Sequence, residues 1–174
     1  VSFANGPVHL IDTVNGQSIR TFAQSDVTGA LAFSPDSSVV AGNTDEDKIP
    51  LWDAHTGSAL RVLKGHEGFL EGLVFSPDGK TLLSSSFDST VVLWDVATGT
   101  ILHRFTNHSA SAFKSVFSPD GKYLLSGGGD KTVRLYDIAA GAEIRKFIGA
   151  ELPVYSVAYQ PQGQWVAAGG VDKQ

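Results

Sequence analysis

Short apolar runs separated by turn-forming residues fill this sequence from end to end, without the three- and four-residue spacing of a helix. The stretch from Phe75 to Gly99, FSPDGKTLLSSSFDSTVVLWDVATG, shows the pattern most clearly. Ser76-Pro77-Asp78-Gly79 is a turn: Pro presets φ, Asp bonds the backbone two residues on, and Gly accepts a positive φ. Thr81 to Ser86 and Thr90 to Trp94 carry Val, Leu, Ser and Thr, as half-buried strands do. Phe87-Asp88-Ser89 and Ala97-Thr98-Gly99 are tight connectors, so two successive hairpins are predicted.

The pattern recurs. Turn prolines stand at Pro35, Pro77, Pro119 and, in a degenerate copy, Pro161, always 42 residues apart. The aspartate closing the second run recurs at Asp12, Asp53, Asp95 and Asp137, spaced 41, 42 and 42, so one residue is missing between Asp12 and Pro35. Strands are predicted at Val1–Phe3, Val8–Ile11 and Gln17–Phe22, with Ala4-Asn5-Gly6-Pro7 as a turn. Ala30–Phe33 and Ser38–Ala41 begin the first full repeat. The second repeat reads Phe69–Phe75, Thr81–Ser86, Thr90–Trp94 and Thr100–Phe105; the third reads Ala112–Phe117, Tyr123–Ser126, Thr132–Tyr136 and Glu143–Phe147. The fourth supplies Val154–Tyr159 and Trp165–Ala168. Four strands per period make a small antiparallel sheet, apolar on both faces, which must stack on its neighbours.

Gly65-His66, then Ser76-Pro77-Asp78-Gly79, then Asp88, then Leu93-Trp94-Asp95 resembles a WD-repeat of a β-propeller. The third repeat keeps Asn107-His108, Asp130 and Leu135-Tyr136-Asp137, while the first has Leu51-Trp52-Asp53 but no Gly-His. The resemblance covers the chain and implies an all-β propeller segment of four-stranded antiparallel blades. Its expected divisions are a partial blade at 1–22, blades at about 23–64, 65–106 and 107–148, and a partial blade at 149–174.

His66, Ser84 or Ser86, and Asp88 look like a Ser-His-Asp triad, but the serines lie on a predicted strand and no nucleophile elbow is present. A catalytic triad also has no reason to recur one period later as His108, Ser126 and Asp130. The resemblance implies instead a buried structural network of His66, Ser84, Asp88 and Trp94, repeated as His108, Ser126, Asp130 and Tyr136. Tyr136 in place of the indole is expected to alter the second copy. Gln24, Gly42 and Glu46 occupy the corresponding first-repeat positions, so that network is expected to be absent. The end blades are then expected to be held by packing of Phe22, Phe33, Leu51 and Trp52, or of Tyr159 and Trp165.

In this family partners dock where strand starts meet the narrow top face. The corresponding residues are Phe69, Glu71 and Phe87 in one blade, Ser111, Phe113 and Gly129 in the next, then Pro153, Tyr155 and Val171; the first blade offers Val27, Gly29 and Asp45. Phe69, Glu71, Phe87, Phe113 and Tyr155 are the candidate partner-binding set. The alternative is that the rings fill the central channel.

Composition narrows the classes further. With 18 Asp+Glu against 13 Lys+Arg, net charge −5 and no basic cluster, neither nucleic acid nor an anionic membrane is an expected partner. Zero Cys removes disulfides, thiolate zinc sites and cysteine nucleophiles, and is compatible with a reducing compartment such as the cytoplasm. His9, His55 and His103 lack ligand spacing, and the acidic stretch Asn43–Lys48 reads as a solvated hairpin tip, so no metal or other cofactor is expected. The function implied is a non-catalytic protein- or peptide-binding scaffold. Alternatives are a lactonase-like or surface-repeat-type propeller enzyme, which the opening VHLIDTVNGQSIRTF also resembles, or a purely architectural segment. A sequence opening at Val1 without Met, in the phase of a strand, is expected to belong to a larger ring or to pair head to tail with a second copy.

Overall fold

The computed structural model describes residues 6–44 and 47–170, with the backbone alone at residues 6 and 23–28. The described chain is all strand and turn. Its strands are β1 (Gly6–Ile11), β2 (Ser18–Phe33), β3 (Val39–Thr44), β4 (Ile49–Asp53), β5 (Ala59–Leu63), β6 (Leu70–Phe75), β7 (Thr81–Ser86) and β8 (Val91–Asp95). They continue as β9 (Ile101–Phe105), β10 (Ala112–Phe117), β11 (Tyr123–Gly128), β12 (Val133–Asp137), β13 (Ala142–Phe147), β14 (Val154–Tyr159) and β15 (Val166–Gly170). β6–β9 and β10–β13 form two four-stranded antiparallel sheets in chain order, β14–β15 form a hairpin, and β1–β5 form one five-stranded sheet. No described sheet closes the array into a ring.

Strand register puts apolar residues on both faces of each sheet. Leu82 pairs with Trp94 and Leu83 with Leu93, so neighbours along β7 look in opposite directions. Leu82, Val92 and Trp94 pack on Ala41, Ile49, Leu51 and Leu63 of the preceding sheet. Leu83, Val91, Leu93 and Phe105 pack on Ala112, Phe117, Leu124 and Tyr136 of the following one. Each such side chain contributes about 1.5–3 kcal/mol when buried. The sheets are therefore blades stacked face to face, as a propeller segment requires.

The recurrent turns explain the sharp reversals. Ser76 Oγ donates to Asp78 Oδ1 at 2.6 Å and accepts the Thr81 N–H at 3.0 Å. Ser34/Asp36 and Ser118/Asp120 repeat the Ser-to-Asp bond at 2.6 Å. Hydrogen bonds from Ser34 and Ser38 hold the Asp36 carboxyl down at about 2. Where Gly79, Gly121 and Gly163 take φ of 72–77°, the first repeat has Ser37 at φ 61°. Ser37→Gly is expected to stabilise the chain by about 0.5–1 kcal/mol, because left-handed backbone costs a side chain more than glycine. Urea denaturation checks it.

Strand β2 departs from the sequence pattern, which predicts two strands, Gln17–Phe22 and Ala30–Phe33. One 16-residue strand runs through both and across the expected blade boundary at 22/23. Its first part pairs with β1 (Val8↔Phe22) and its second with β3 (Phe33↔Val40), with register breaks between. Later blades turn this corner on Gly65 and Gly149, at φ 154° and 134°. Ala23 stands at the corresponding place in a repeat one residue shorter, so the backbone stays extended. Val8 and Phe22 still fold over to pack on Val40 and Trp52, with the Phe22 and Trp52 rings 5.6 Å apart.

Three further expectations change. Gly6 and Pro7 lie in β1 instead of a turn; Ala4 and Asn5 lie outside the described residues, as does the strand expected at Val1–Phe3. Phe33 is exposed rather than part of the first blade's core, because β1 and the start of β2 cover only the inner part of that sheet. Trp165 is 72% exposed and joins no core cluster among the described residues, since it precedes β15 on an exposed strand; Tyr159 does pack beside Val154 and Val157.

Candidate functional site

Two groups of residues bear on function: the polar networks inside the blades and the rings on one rim. In the second blade, Trp94 Nε1 on β8 donates to Ser84 Oγ on β7 at 2.7 Å. An indole can only donate, so the Ser84 proton goes to His66 Nε2, 2.7 Å away, and His66 donates Nδ1–H to Asp88 Oδ2 at 2.7 Å. Asp88, in the β7–β8 turn, also accepts from the Glu67 N–H at 3.1 Å and Thr90 Oγ1 at 2.7 Å. Burial alone would raise the Asp88 pKa. The bonds from His66, Thr90 and Glu67 outweigh it and hold the carboxyl well below the usual range. These distances match those of a Ser-His-Asp triad, but Ser84 is fully buried and its hydroxyl is occupied at both ends. Ser86, the other candidate serine, bonds the Gly68 carbonyl at 2.7 Å instead.

The third blade repeats part of this chain. His108 bridges Ser126 Oγ at 2.7 Å and Asp130 Oδ1 at 2.9 Å. Tyr136 is brought to the group without joining it: its buried Oη lies by Ser126 but makes no hydrogen bond of acceptable geometry. Burial pushes the phenol up to about 12, and its ring packs 4.8 Å from that of Phe105. Buried Arg134 adds what sequence reasoning missed, bonding Asp130 at 3.1 Å and Glu143 at 2.6 Å. The available signal was a cation at the place where the second repeat has Val92.

Burial lowers the His108 pKa below 6.5, more than Asp130 can offset. Asp88 and Asp130 are depressed below 3.8, and burial acts against rather than for that shift. For all three, the unfolded chain binds more protons in acid, so stability falls with falling pH. The His108 contribution is complete above about 6.5 and is lost below it; the aspartate contributions are complete above about 3.8 and drain as pH drops further. Melting temperature is expected to be flat above neutrality, to decline through mildly acidic pH and to fall steeply in strong acid. Melting curves across pH check this, and a maximum near pH 5 would contradict it.

In the first blade, buried Trp52 Nε1 has no hydrogen-bond partner, and Gly42 takes the serine position. Restoring the hydroxyl does not rescue it. A Cβ on Gly42 would stand 3.1 Å from Leu31 Cδ2 and 3.2 Å from Trp52 Cζ3, so the leucine and the indole already fill the space. Gly42→Ser is therefore expected to cost about 1–2 kcal/mol, measured by denaturant unfolding. A buried amide strengthens this blade's seam instead: Asn43 accepts from the Ala30 N–H at 2.6 Å and donates to the Leu70 carbonyl of the next blade at 3.3 Å. Ser85 and Ser115, 2.6 Å apart, bridge the following seam.

The rim residues come from three blades. Phe87 meets Phe113 edge-on with centroids 6.0 Å apart, and Phe113 meets Tyr155 at 4.5 Å. Phe87 and Tyr155 are 44% and 48% exposed, with Phe113 half-buried between them. Phe69 is exposed but makes no ring contact with these three among the described residues. Glu71 is exposed and, with Lys114 and Ala30, lines a cleft of about 270 Å³ where the first strands of three blades converge. Ser111, Gly129 and Pro153 are partly buried, and Gly29 is exposed. Asp45, Glu46 and Val171 lie outside the described residues, as do the side chains of Gln24 and Val27.

Residues 57–95, 99–137 and 141–174 match the family model of the WD domain, G-beta repeat. The chain belongs to this WD40 family. Matching begins at the last strand of the first blade, so the part of the first repeat that lacks Gly-His lies outside it. No curated protein matches the chain. WD40 repeats are typically non-catalytic and commonly serve as protein-interaction scaffolds. Among the described residues, no group of three or more His, Asp or Glu could hold a metal ion, and no helix is long and apolar enough to cross a membrane.

Proposed function

We propose that this WD40 segment is a non-catalytic platform that captures a peptide or protein segment across the aromatic row Phe87, Phe113 and Tyr155. The observation that carries this reading is that row: three blades each contribute one ring, two of them exposed, on one continuous surface. Such rings bring large contact area at little entropic cost and serve as interface anchors. Phe69 and Glu71 lie on the same blade as Phe87 and extend the set, the carboxylate favouring a cation in the partner. The buried His66/Ser84/Asp88 and His108/Ser126/Asp130 groups support the blades in this reading, because neither serine hydroxyl is open to a substrate.

Peptides selected from a displayed library on the intact chain test the reading. Phe87→Ser with Tyr155→Ser, both exposed, is expected to weaken the selected peptides at least about tenfold while leaving the melting temperature unchanged. Equal binding by the double variant would place the site elsewhere. Glu71→Lys is expected to weaken cationic peptides selectively.

A further inference from the structure

Three turns repeat one design: residues 12–16 join β1 to β2, 53–57 join β4 to β5, and 95–99 join β8 to β9. Each runs from aspartate to glycine, and the glycine N–H donates to the aspartate carbonyl at 2.8–2.9 Å. Gly16, Gly57 and Gly99 take φ of 73–78°. The aspartate side chain caps the turn. Asp12 Oδ1 accepts from the Val14 N–H at 2.7 Å, Asp53 Oδ1 from the Thr56 N–H at 2.6 Å and Asp95 Oδ1 from the Thr98 N–H at 2.7 Å. The residue before the glycine then reaches over it to the strand beyond. Thr56 Oγ1 accepts from the Ser58 N–H at 3.2 Å, and Thr98 Oγ1 from the Thr100 N–H at 3.3 Å. In the first turn Asn15 takes that role, its Oδ1 accepting from the Gln17 N–H at 2.8 Å.

Asparagine keeps the turn but changes its chemistry. Threonine offers a hydroxyl; asparagine offers an amide carbon, Cγ, next to the nitrogen of a glycine, which has no side chain to hinder approach. Attack of that nitrogen on Cγ closes a cyclic imide. Two contacts favour the step. The Gln17 N–H on Oδ1 draws electron density from Cγ and stabilises the negative charge that develops on the oxygen. Asn15 Nδ2 donates to Asp12 Oδ2 at 3.3 Å, so a carboxyl group stands beside the departing nitrogen, placed to relay a proton to it. Asn15 is exposed, as are Thr56, Thr98 and Ala140 at the same place in their turns, so water reaches this position in every blade. The other two described asparagines lack the arrangement: Asn43 is buried and precedes Thr44, and Asn107 precedes His108.

We propose that Asn15 is a self-modification site, converting without an enzyme to aspartate and isoaspartate through an imide with Gly16. The Gly16 N–H first leaves the Asp12 carbonyl by local opening of the exposed turn. Its nitrogen gives up the proton to solvent base and bonds to Cγ. The Cγ–Nδ2 bond breaks, and Nδ2 takes up a proton and departs as ammonia. Water then opens the imide. Cleavage between Gly16 N and Cγ leaves aspartate; cleavage between Gly16 N and the Asn15 carbonyl carbon leaves isoaspartate, with the chain running through Cβ and Cγ. Water is the sole co-reactant. Either product sets a carboxylate beside Asp12 in place of the amide donor. Isoaspartate also lengthens the backbone ahead of Gly16, which pulls its N–H off the Asp12 carbonyl. The hairpin closed by this turn carries Val8 and Phe22, which pack on Trp52, so conversion loosens the cover of the first blade. The aromatic row belongs to later blades, so this proposal and peptide capture fail independently.

Peptide mapping of the intact chain, aged in dilute buffer at neutral pH and physiological temperature, tests this. Arg20 ends the tryptic peptide that holds Asn15, and fragmentation within it separates Asn15 from Asn5, which also precedes a glycine. Asn15 is expected to exchange its –NH2 for –OH while Asn43 and Asn107 stay intact. Asn15→Thr supplies the residue that the matching turns carry as Thr56 and Thr98. It is expected to abolish conversion at this position and to leave the melting temperature of the fresh protein unchanged. Amide hydrogen exchange gives a second readout: the aged natural chain is expected to lose protection across β1, and the aged Asn15→Thr chain to keep it. An Asn15 that survives ageing in the folded chain and converts only in urea overturns the proposal. So does conversion at Asn5, Asn43 or Asn107 with Asn15 unchanged.

Discussion

Ser84→Ala is expected to destabilise the chain by about 2–4 kcal/mol, a large effect for one oxygen atom. The hydroxyl accepts from Trp94 Nε1 and donates to His66 Nε2, each at 2.7 Å, and its removal leaves two buried polar atoms unpaired. Each unpaired buried group costs roughly 1–3 kcal/mol. For a chain of this length the melting temperature then falls by about 5–10 °C. Ser126→Ala in the third blade is expected to cost about half as much, because Tyr136 donates nothing to Ser126 and only His108 loses a partner. Differential scanning calorimetry of the two variants separates them. Equal losses would show that the indole bond adds nothing.

Gly128→Ser should be comparably damaging, although the second blade carries Ser86 at the same place in its repeat. Ser86 fits there by bonding the Gly68 carbonyl and the Asp88 N–H. In the third blade a Cβ on Gly128 would stand 2.5 Å from His108 Nδ1, 2.8 Å from its Cε1 and 3.1 Å from Asp130 Oδ1. The imidazole cannot give way without releasing Ser126 or Asp130, so crowding and lost hydrogen bonds combine. The expected cost is about 2–3 kcal/mol. Borrowing a residue from a better-preserved repeat therefore harms this blade, and urea denaturation of the variant checks it.

Most strands were legible because each is bounded by turns whose chemistry is local. Ser76, Pro77, Asp78 and Gly79 form their turn through bonds among themselves and Thr81, so the residues suffice to place it. Alternation along β7 and β8 likewise reveals a sheet covered on both faces. What escaped the sequence depends on distant partners. The continuity of β2 follows from one deleted residue and an alanine at a glycine corner, and the 42-residue period locates that deletion without giving its consequence. The place of Arg134 is set by Asp130 in a turn and Glu143 on the neighbouring strand, a pairing visible only once β12 and β13 are in register. Exposure of Phe33 and Trp165 depends on which neighbouring strands cover them, which no local pattern encodes.

The candidate site divides the same way. His66, Ser84, Asp88 and Trp94 could be grouped from their positions in the repeat, and their recurrence already spoke against a nucleophile; the full burial of Ser84 is what the sequence could not give. Phe87, Phe113 and Tyr155 could be placed on one rim, but their stacking into a row required the inter-blade geometry.

Indole hydrogen exchange followed by NMR reaches the core of this account. Only three tryptophans are present, Trp52, Trp94 and Trp165. Trp94 Nε1–H, locked onto Ser84 between stacked blades, should exchange only when the whole fold opens, whereas exposed Trp165 should exchange at once. A Trp94 signal that disappeared as fast as that of Trp165 would contradict a buried, fully bonded support at the centre of the blade.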